Sequence, residues 1–456
     1  MIIANLIYNI LMGLEKALHK HLFEEVDNSP LIVFRIFFGL LAFLESAGAI
    51  FTGWVKDTFV EPKHALTFIG FEWLQPLPGY GMYFYCAIMA VAGLMIMTGS
   101  WYKLATLIFT FMWWGCYLMQ KSHYNNHYYL LILLSFFMLI VPAHRYFSGD
   151  VKRNPSLKSM TCPKWCFLIF ILQVWIVFTY ASTAKLYPDW LQGKPIGLWF
   201  SYKTHYPVIG PLLGKEWFKW AVVYGAILFD LLIIPMLLWK RTRLFALVLA
   251  LMFNIFNSIV FQIGIFPYLM IAIMVFFFPP ETIRRIFFKN KPAIGKELLF
   301  LLNSGNGGKK RFITLGLTLY FLFQLLLPLR HFLFEGNVHW TEEGHRMAWH
   351  MMLRSKWGSV DFTIKDPKTG EIWKVKPSEH FSVDQSIEIA KLPDMTWQCA
   401  QFLKNYYAER GRPGVEIYAN SSVSLNGGPY RPLINPNVDL AKVKWEPFKH
   451  SDWLLP

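Results

Sequence analysis

Charge is what this chain has least of. Asp, Glu, Lys and Arg supply only 16% of its 456 residues, while 55% are hydrophobic and 18% aromatic. That balance, with a positive mean hydropathy of +0.34, excludes an ordinary water-soluble chain and places the protein in a membrane. Acidic residues are scarcer still, 29 against 44 Lys and Arg, for a net charge of +15. On a soluble protein such a surplus would point to nucleic acid, but the hydropathy argues against that partner here. Cysteine is also rare. Cys162 and Cys166 have helical i, i+4 spacing, yet no local His or acidic set completes a site, so no metal is expected. The first 25 residues lack a signal-peptide cleavage pattern, and Met1–Leu22 reads as an amphipathic helix lying on the membrane surface. The chain has no internal repeat and no low-complexity segment.

What is present is a series of apolar runs near the ~20 residues needed to cross a bilayer. Nine spans are expected, at roughly 30–52, 80–100, 103–120, 127–143, 164–184, 217–239, 243–262, 265–279 and 311–329. The eighth is short and Pro267 interrupts it, so spans seven and eight are also compatible with a bent hairpin. Basic residues cluster after span four (Arg145, Lys152, Arg153, Lys158), span six (Lys240, Arg241, Arg243) and span eight (Arg284, Arg285, Lys289, Lys291, Lys296, Lys309, Lys310). The positive-inside rule makes these loops cytoplasmic, the N-terminus cytoplasmic and the C-terminus external. Asn303–Arg311, with its Gly-Asn-Gly-Gly run, reads as a flexible cytoplasmic loop.

The composition changes after Leu329. Residues 1–334 form the membrane part, and 335–456 an extracytosolic α+β domain. Asp361–Lys365 and Glu371–Lys376 alternate like paired strands joined by the turn Asp366-Pro-Lys-Thr-Gly370. Val415–Asn420 and Val423–Leu425 read as further short strands, and Pro393–Glu409 has helical spacing. Asn420-Ser-Ser has the N-glycosylation pattern.

The chemistry gathers on the outer side. Lys185 ends an apolar helix, in Phe178-Thr-Tyr-Ala-Ser-Thr-Ala-Lys185-Leu-Tyr-Pro-Asp-Trp190. Ala181, Ser182 and Ala184 leave room for neighbouring helices. Desolvation disfavours its ammonium, so it suits a base near neutral pH, and a snorkelling interface anchor is the competing reading. Asn126 and His127 sit at the outer mouth of span four, where a histidine can shuttle a proton or stabilise an anion, or simply line the interface. Arg35, Glu45 and Asp230 are ionisable groups inside apolar runs. Arg35 pairs with Glu45 or Asp230, or holds a substrate carboxylate within the bundle. Asn254 and Asn257, with Phe253, Phe256 and Phe261 nearby, suit a flat and partly polar ring such as a quinone. Helix–helix hydrogen bonding explains the asparagines equally well.

Several stretches together resemble the vitamin K-dependent γ-glutamyl carboxylases. They are Tyr124-Asn-Asn-His127-Tyr, Ala184–Trp190, Asn257–Tyr268, His331–Thr341, Met347-Ala-Trp-His-Met-Met352 and Asn435–Phe448. The membrane part is also similar to the wider bacterial HTTM group. The resemblance implies a lyase-class membrane enzyme that oxidises vitamin K hydroquinone (reduced menaquinone or phylloquinone) with O2 to the 2,3-epoxide. The strong base so generated lets CO2 carboxylate a protein-bound glutamate. It implies Lys185 as initiating base, and His127 with Asn126 stabilising the glutamyl carbanion or positioning CO2. Asn254, Asn257, Phe261 and Met352 would contact the quinone, and Arg35 and Trp349 the substrate. The implied partners are a glutamate-containing polypeptide, the bilayer and a quinone reductase, with no metal. Vertebrate members have two adjacent lysines where this chain has Ala184-Lys185, and Asn254 stands where a histidine is usual. The vertebrate disulfide has no clear counterpart, because Cys86 and Cys399 do not fall at the matching places. These departures suggest a compact bacterial homologue in the inner membrane, or a lumenal C-terminal domain if eukaryotic. A quinone epoxidase without protein carboxylation is the alternative, and a transporter or scaffold a more distant one.

Overall fold

Each apolar run is helical in the computed structural model, which describes residues 13, 17–295 and 307–456. Most of the surface helix expected over Met1–Leu22 lies outside the described residues, although 17–22 are helical. The membrane part contains α1 (Ser29–Phe51), α2 (Gly81–Thr98), α3 (Tyr102–Met119), α4 (Asn126–Ile140), α5 (Trp165–Ala184), α6 (Glu216–Leu238), α7 (Arg243–Phe256), α8 (Phe266–Ile273), α9 (Pro280–Phe287) and α10 (Gly307–Leu326). The helix α10 begins where a flexible loop was expected. Gly307–Arg311 are helical, and 303–306 fall outside the described residues.

Nine full spans are not what these helices provide. Among the described residues six are long and apolar enough to cross a membrane, or seven if the bent pair Phe266–Phe277 and Pro280–Phe287 counts as one. α3 carries Lys103, Thr106 and Thr110 and is less apolar. α4 has 15 residues, which at 1.5 Å per residue is about 22 Å, short of a ~30 Å hydrocarbon core. Pro267 occupies the first turn of α8, where its missing N–H costs nothing, so it starts that helix rather than interrupting it. The break comes later, at Pro279 and Pro280, where the chain turns by 115°.

Small residues let the helices touch. A Cβ on Gly93 would lie 2.5 Å from the backbone N of Phe43, and one on Gly39 would lie 2.2 Å from that of Met97. The α1–α2 crossing is thus a backbone contact, the packing that membranes favour because lipid offers no hydrophobic drive for helix association. At the other side of the fold Lys291 is buried. Its Nζ donates to Asp27 Oδ1 (2.5 Å) and Asn28 Oδ1 (2.7 Å), tying the loop after α9 to the start of α1.

The C-terminal part carries an antiparallel sheet with β3 (Lys356–Lys365) central between β4 (Ile372–Val375) and β5 (Glu416–Leu425). A second, two-stranded sheet joins β1 (Glu25–Asp27) to β2 (Thr161–Pro163) beside the membrane helices. Two strands were expected over Val415–Leu425, but β5 runs through unbroken. Asn420, Ser421 and Ser422 pair with Asp361, Val360 and Ser359, so the polar triplet is ladder rather than turn. α11 (Val383–Lys391) and α12 (Pro393–Glu409) cover the sheet, and Phe362, Ile364, Ile417, Met395, Cys399 and Leu403 form its core. The five cysteines are free and buried.

Candidate functional site

Lys185 closes α5, and its surroundings follow from the small residues before it. Ala181, Ser182 and Ala184 allow α6 to approach closely, and Ser182 Oγ donates to the carbonyl of Ile227 at 3.0 Å. Lys185 is buried, 6% exposed. Its Nζ donates to Asp230 Oδ2 of α6 at 2.6 Å and to the carbonyl of Ala181 at 2.9 Å, and it lies 5.5 Å from the Trp190 ring. The exposed Trp217, Trp220 and Tyr224 form an aromatic belt on α6. Asp230 lies six residues past Tyr224, the last of the three, about 9 Å further along the helix axis. Lys185 therefore pairs with a carboxylate that lies past those aromatic residues.

Lys185 and Asp230 line an apolar cavity together with His127, Asn257, Phe261 and Met352. Phe178, Trp190, Trp199, Phe253, Phe256 and Phe266 supply its walls. Aromatic walls with a few convergent polar groups are the usual make-up of a small-molecule site, and they fit a flat ring carrying polar oxygens. His127 packs against Phe266 with ring centroids 4.6 Å apart and the rings tilted by 32°. Its Nδ1 is shielded from solvent and has no hydrogen-bond partner among the described residues, leaving it available to a bound group.

A second cavity of about 200 Å³ adjoins the first, and His127, Met351 and Met352 line both. This chamber is polar and mainly basic, with Lys121, Arg346, Arg354, His345 and His350 in its walls beside one acid, Glu388. Arg346 holds Asp394 with two bonds of 2.7 and 3.2 Å, and Lys121 reaches the same carboxylate at 2.6 Å. Despite its burial, the two cations hold the Asp394 carboxyl well below the usual range. Burial depresses the Lys121 ammonium to about 8, partly offset by Asp394. Arg354 grips Glu342 through bonds of 2.6 and 2.5 Å and lies 3.0 Å from His345 Nε2. Two cations share Asp394, so that cluster carries a net positive charge suited to an anionic guest.

The segment that carries Met351 and Met352 to the shared wall is backbone under strain. Met347, Trp349 and Met352 have φ of 59°, 60° and 52°, left-handed values that non-glycine side chains rarely adopt. Three such residues within six persist because the segment is fixed on both sides. Met347 N donates to Tyr124 OH at 2.6 Å, and Asn126 Nδ2 donates to the His350 carbonyl at 3.1 Å.

Not every residue singled out in the sequence joins the cavity with Lys185. Asn126 lines the polar chamber and accepts from Tyr124 OH at 2.9 Å. Asn254 is buried, donates to the Ala250 carbonyl at 2.8 Å and does not line this cavity. Trp349 is fully buried in the bundle core, its ring 5.0 Å from that of Tyr129, and lines neither cavity. Arg35 corrects the expectation most plainly. It pairs with neither Glu45 nor Asp230, but donates to the carbonyls of Ala143 (3.1 Å) and Phe147 (2.7 Å), beyond the far end of α4 from His127. The fifteen residues of α4 put about 22 Å between the two levels. Asp230, expected to pair with Arg35, is instead the partner of Lys185. Lys121, Arg346 and Arg354 were missed, although the density of charged groups and histidines from Glu342 to Arg354 was a readable signal.

A polytopic helical bundle, a C-terminal α+β domain and a paired lysine in an aromatic cavity define a membrane protein with an enzyme-like site. A family model described as "HTTM domain" matches residues 23–281. A second, described as "Vitamin K-dependent gamma-carboxylase, lumenal domain", matches residues 309–456. The chain belongs to the HTTM family and is a gamma-carboxylase-type protein. No solved structure matches it.

Proposed function

We propose that the protein is a membrane vitamin K-dependent γ-carboxylase. It oxidises vitamin K hydroquinone with O2 to the epoxide in the apolar cavity, and carboxylates a polypeptide glutamate with CO2 at the adjoining chamber. The carrying observation is the pair of cavities sharing His127, Met351 and Met352. The glutamyl γ-CH is far too weak an acid for any side-chain base. A stronger base must arise from the quinone's oxygenation, out of reach of water yet within reach of glutamate. An apolar cavity against a polar one supports that division of labour. Aromatic walls, Asn257 and Phe261 receive the ring, and the Lys185 and Asp230 pair meets its oxygen. His127 faces both sides, with its free Nδ1 suited to positioning CO2 or the forming carbanion. Asn126 fixes the strained wall through the His350 carbonyl. The basic chamber favours the coupled carboxylase over an oxygenase that modifies no protein, because a quinone alone has no use for a cationic pocket. The glutamate would reach the chamber from outside the cytoplasm, and a quinone reductase would return the epoxide to hydroquinone.

The test supplies purified protein with hydroquinone, O2, labelled bicarbonate and a glutamate-containing peptide, following epoxide and fixed label together. Both products should form in wild type, and both should vanish in Lys185→Ala. Epoxide without label across a panel of peptides would leave the oxygenase reading. Neither product in wild type would refute the proposal.

A further inference from the structure

We propose that Asn426 is a positioning residue that holds the Tyr187–Ser201 segment closed over the apolar cavity and so keeps water from the base that forms there. The inference rests on the hydroquinone reading above and deepens it. Trp190, Ile196 and Trp199 of that segment line the cavity. They sit on two short helices, Pro188–Leu191 and Lys194–Ser201. Asn426 directly follows β5 of the C-terminal domain and is buried. Its backbone N–H donates to the Ser355 carbonyl at 2.7 Å, and its Oδ1 accepts from the Ser355 N–H at 2.8 Å. Its Nδ2 donates to Asp189 Oδ2 at 2.9 Å. Ser355 lies three residues past Met352, which lines both cavities. One amide thus joins the cover of the apolar cavity to the segment that forms the shared wall. Two further contacts run the same way. Tyr187 OH donates to the Leu353 carbonyl, and a Cβ added to Gly427 would meet Leu198 at 3.4 Å.

The position suits asparagine. Its φ of 51° is left-handed, which Asn tolerates better than most residues. An aspartate of the same shape would have no N–H for Asp189 and would set two carboxylates together. Asp189 Oδ1 is in turn held by Lys194 Nζ at 2.7 Å, so the bond from Asn426 steadies the starts of both short helices. The closure matters because of what the cavity makes. A base able to take the glutamyl γ-proton takes one from water more readily. A brief opening would therefore let a water O–H supply the proton, leaving hydroxide and an uncarboxylated glutamate.

Two measurements on the full chain in detergent test this. The first needs no substrate. Ile196 is buried in the cover, and the five native cysteines are buried too. Ile196→Cys should therefore react slowly with a water-soluble maleimide. Adding Asn426→Asp should speed the reaction on the order of tenfold, the scale of one charge-assisted hydrogen bond. Adding Asp189→Asn as well exchanges donor and acceptor and should restore the slow rate, which a generally disturbed fold would not do. Unchanged labelling in Asn426→Asp, or no restoration, would overturn the proposal. If Asn426→Asp does not fold, Asp189→Ala removes the same contact from the other side and is read the same way. The second measurement follows fixed label and epoxide. Asn426→Asp should lower the ratio of label to epoxide by about the factor seen in labelling, and Asp189→Asn should restore it. Both products falling in the wild-type ratio would overturn the proposal. Wild type that forms no epoxide would instead remove the reading beneath it, on which the labelling does not depend, so the two failures are distinct.

Discussion

Lys185 is conspicuous in the sequence because a lone cation after twenty apolar residues has few structural reasons to be there. Its partner is not, because Asp230 lies 45 residues away on another helix and nothing local marks the pairing. The same limit explains Arg35. A guanidinium in an apolar run invites an acidic partner, but carbonyls freed where α4 ends satisfy it as well, and a sequence does not display carbonyls. Histidines show the residue scale most sharply outside the membrane. Burial holds His339 neutral down to about 3, helped by the Arg354 cation, and His350 down to about 2, helped by His339 and His331. In the unfolded chain each would titrate near 6.5. Both are neutral above that value in either state, so stability is unaffected there. Below it only the unfolded chain gains protons, and each histidine removes about 1.4 kcal/mol of stability per pH unit until its folded value is reached. The thermal unfolding midpoint in detergent should fall from pH 6.5 to 5. Replacing His339 and His350 by Asn should flatten that fall, and a wild-type midpoint that does not move would contradict it.

Helix existence was legible because a bilayer-length apolar run has few alternatives, and every expected span is helical. What the runs did not reveal is which helices are complete. α4 has ordinary apolar composition yet spans only fifteen residues, with the Met347–Met352 segment held at its Asn126 end. Helix packing had a readable sign in the glycines. Gly93→Val would drive a side chain into the backbone of Phe43, now 2.5 Å from the added Cβ. Neither backbone can yield without separating α1 from α2, so the cost should reach at least the 1–3 kcal/mol of an overpacked core. Gly225 of α6 has nothing within 4 Å of its Cβ position, so Gly225→Ala should be neutral or slightly stabilising. Unfolding midpoints of the two variants compare a contact glycine with a free one, and equal midpoints would refute the close crossing.

The whole molecule is a bundle whose His127 end is covered by the C-terminal domain. Asp394 of α12 sits between Lys121 and Arg346, Gln385 Nε2 donates to the His64 carbonyl at 2.8 Å, and Asn426 Nδ2 donates to Asp189 Oδ2 at 2.9 Å. The domain thereby supplies Met351 and Met352 to a cavity otherwise built from membrane helices and the loops between them. This joint construction was not legible in the sequence, where composition alone separates the two parts at Leu329. It follows that one side chain on the shared wall should control coupling between the cavities. The decisive measurement is therefore the ratio of fixed label to epoxide in wild type and His127→Ala, under saturating hydroquinone, O2 and peptide. Coupled cavities predict that the variant still forms epoxide while its carboxylation falls at least tenfold further. An unchanged ratio, with both products falling together or neither falling, would contradict a role for His127 between the two cavities.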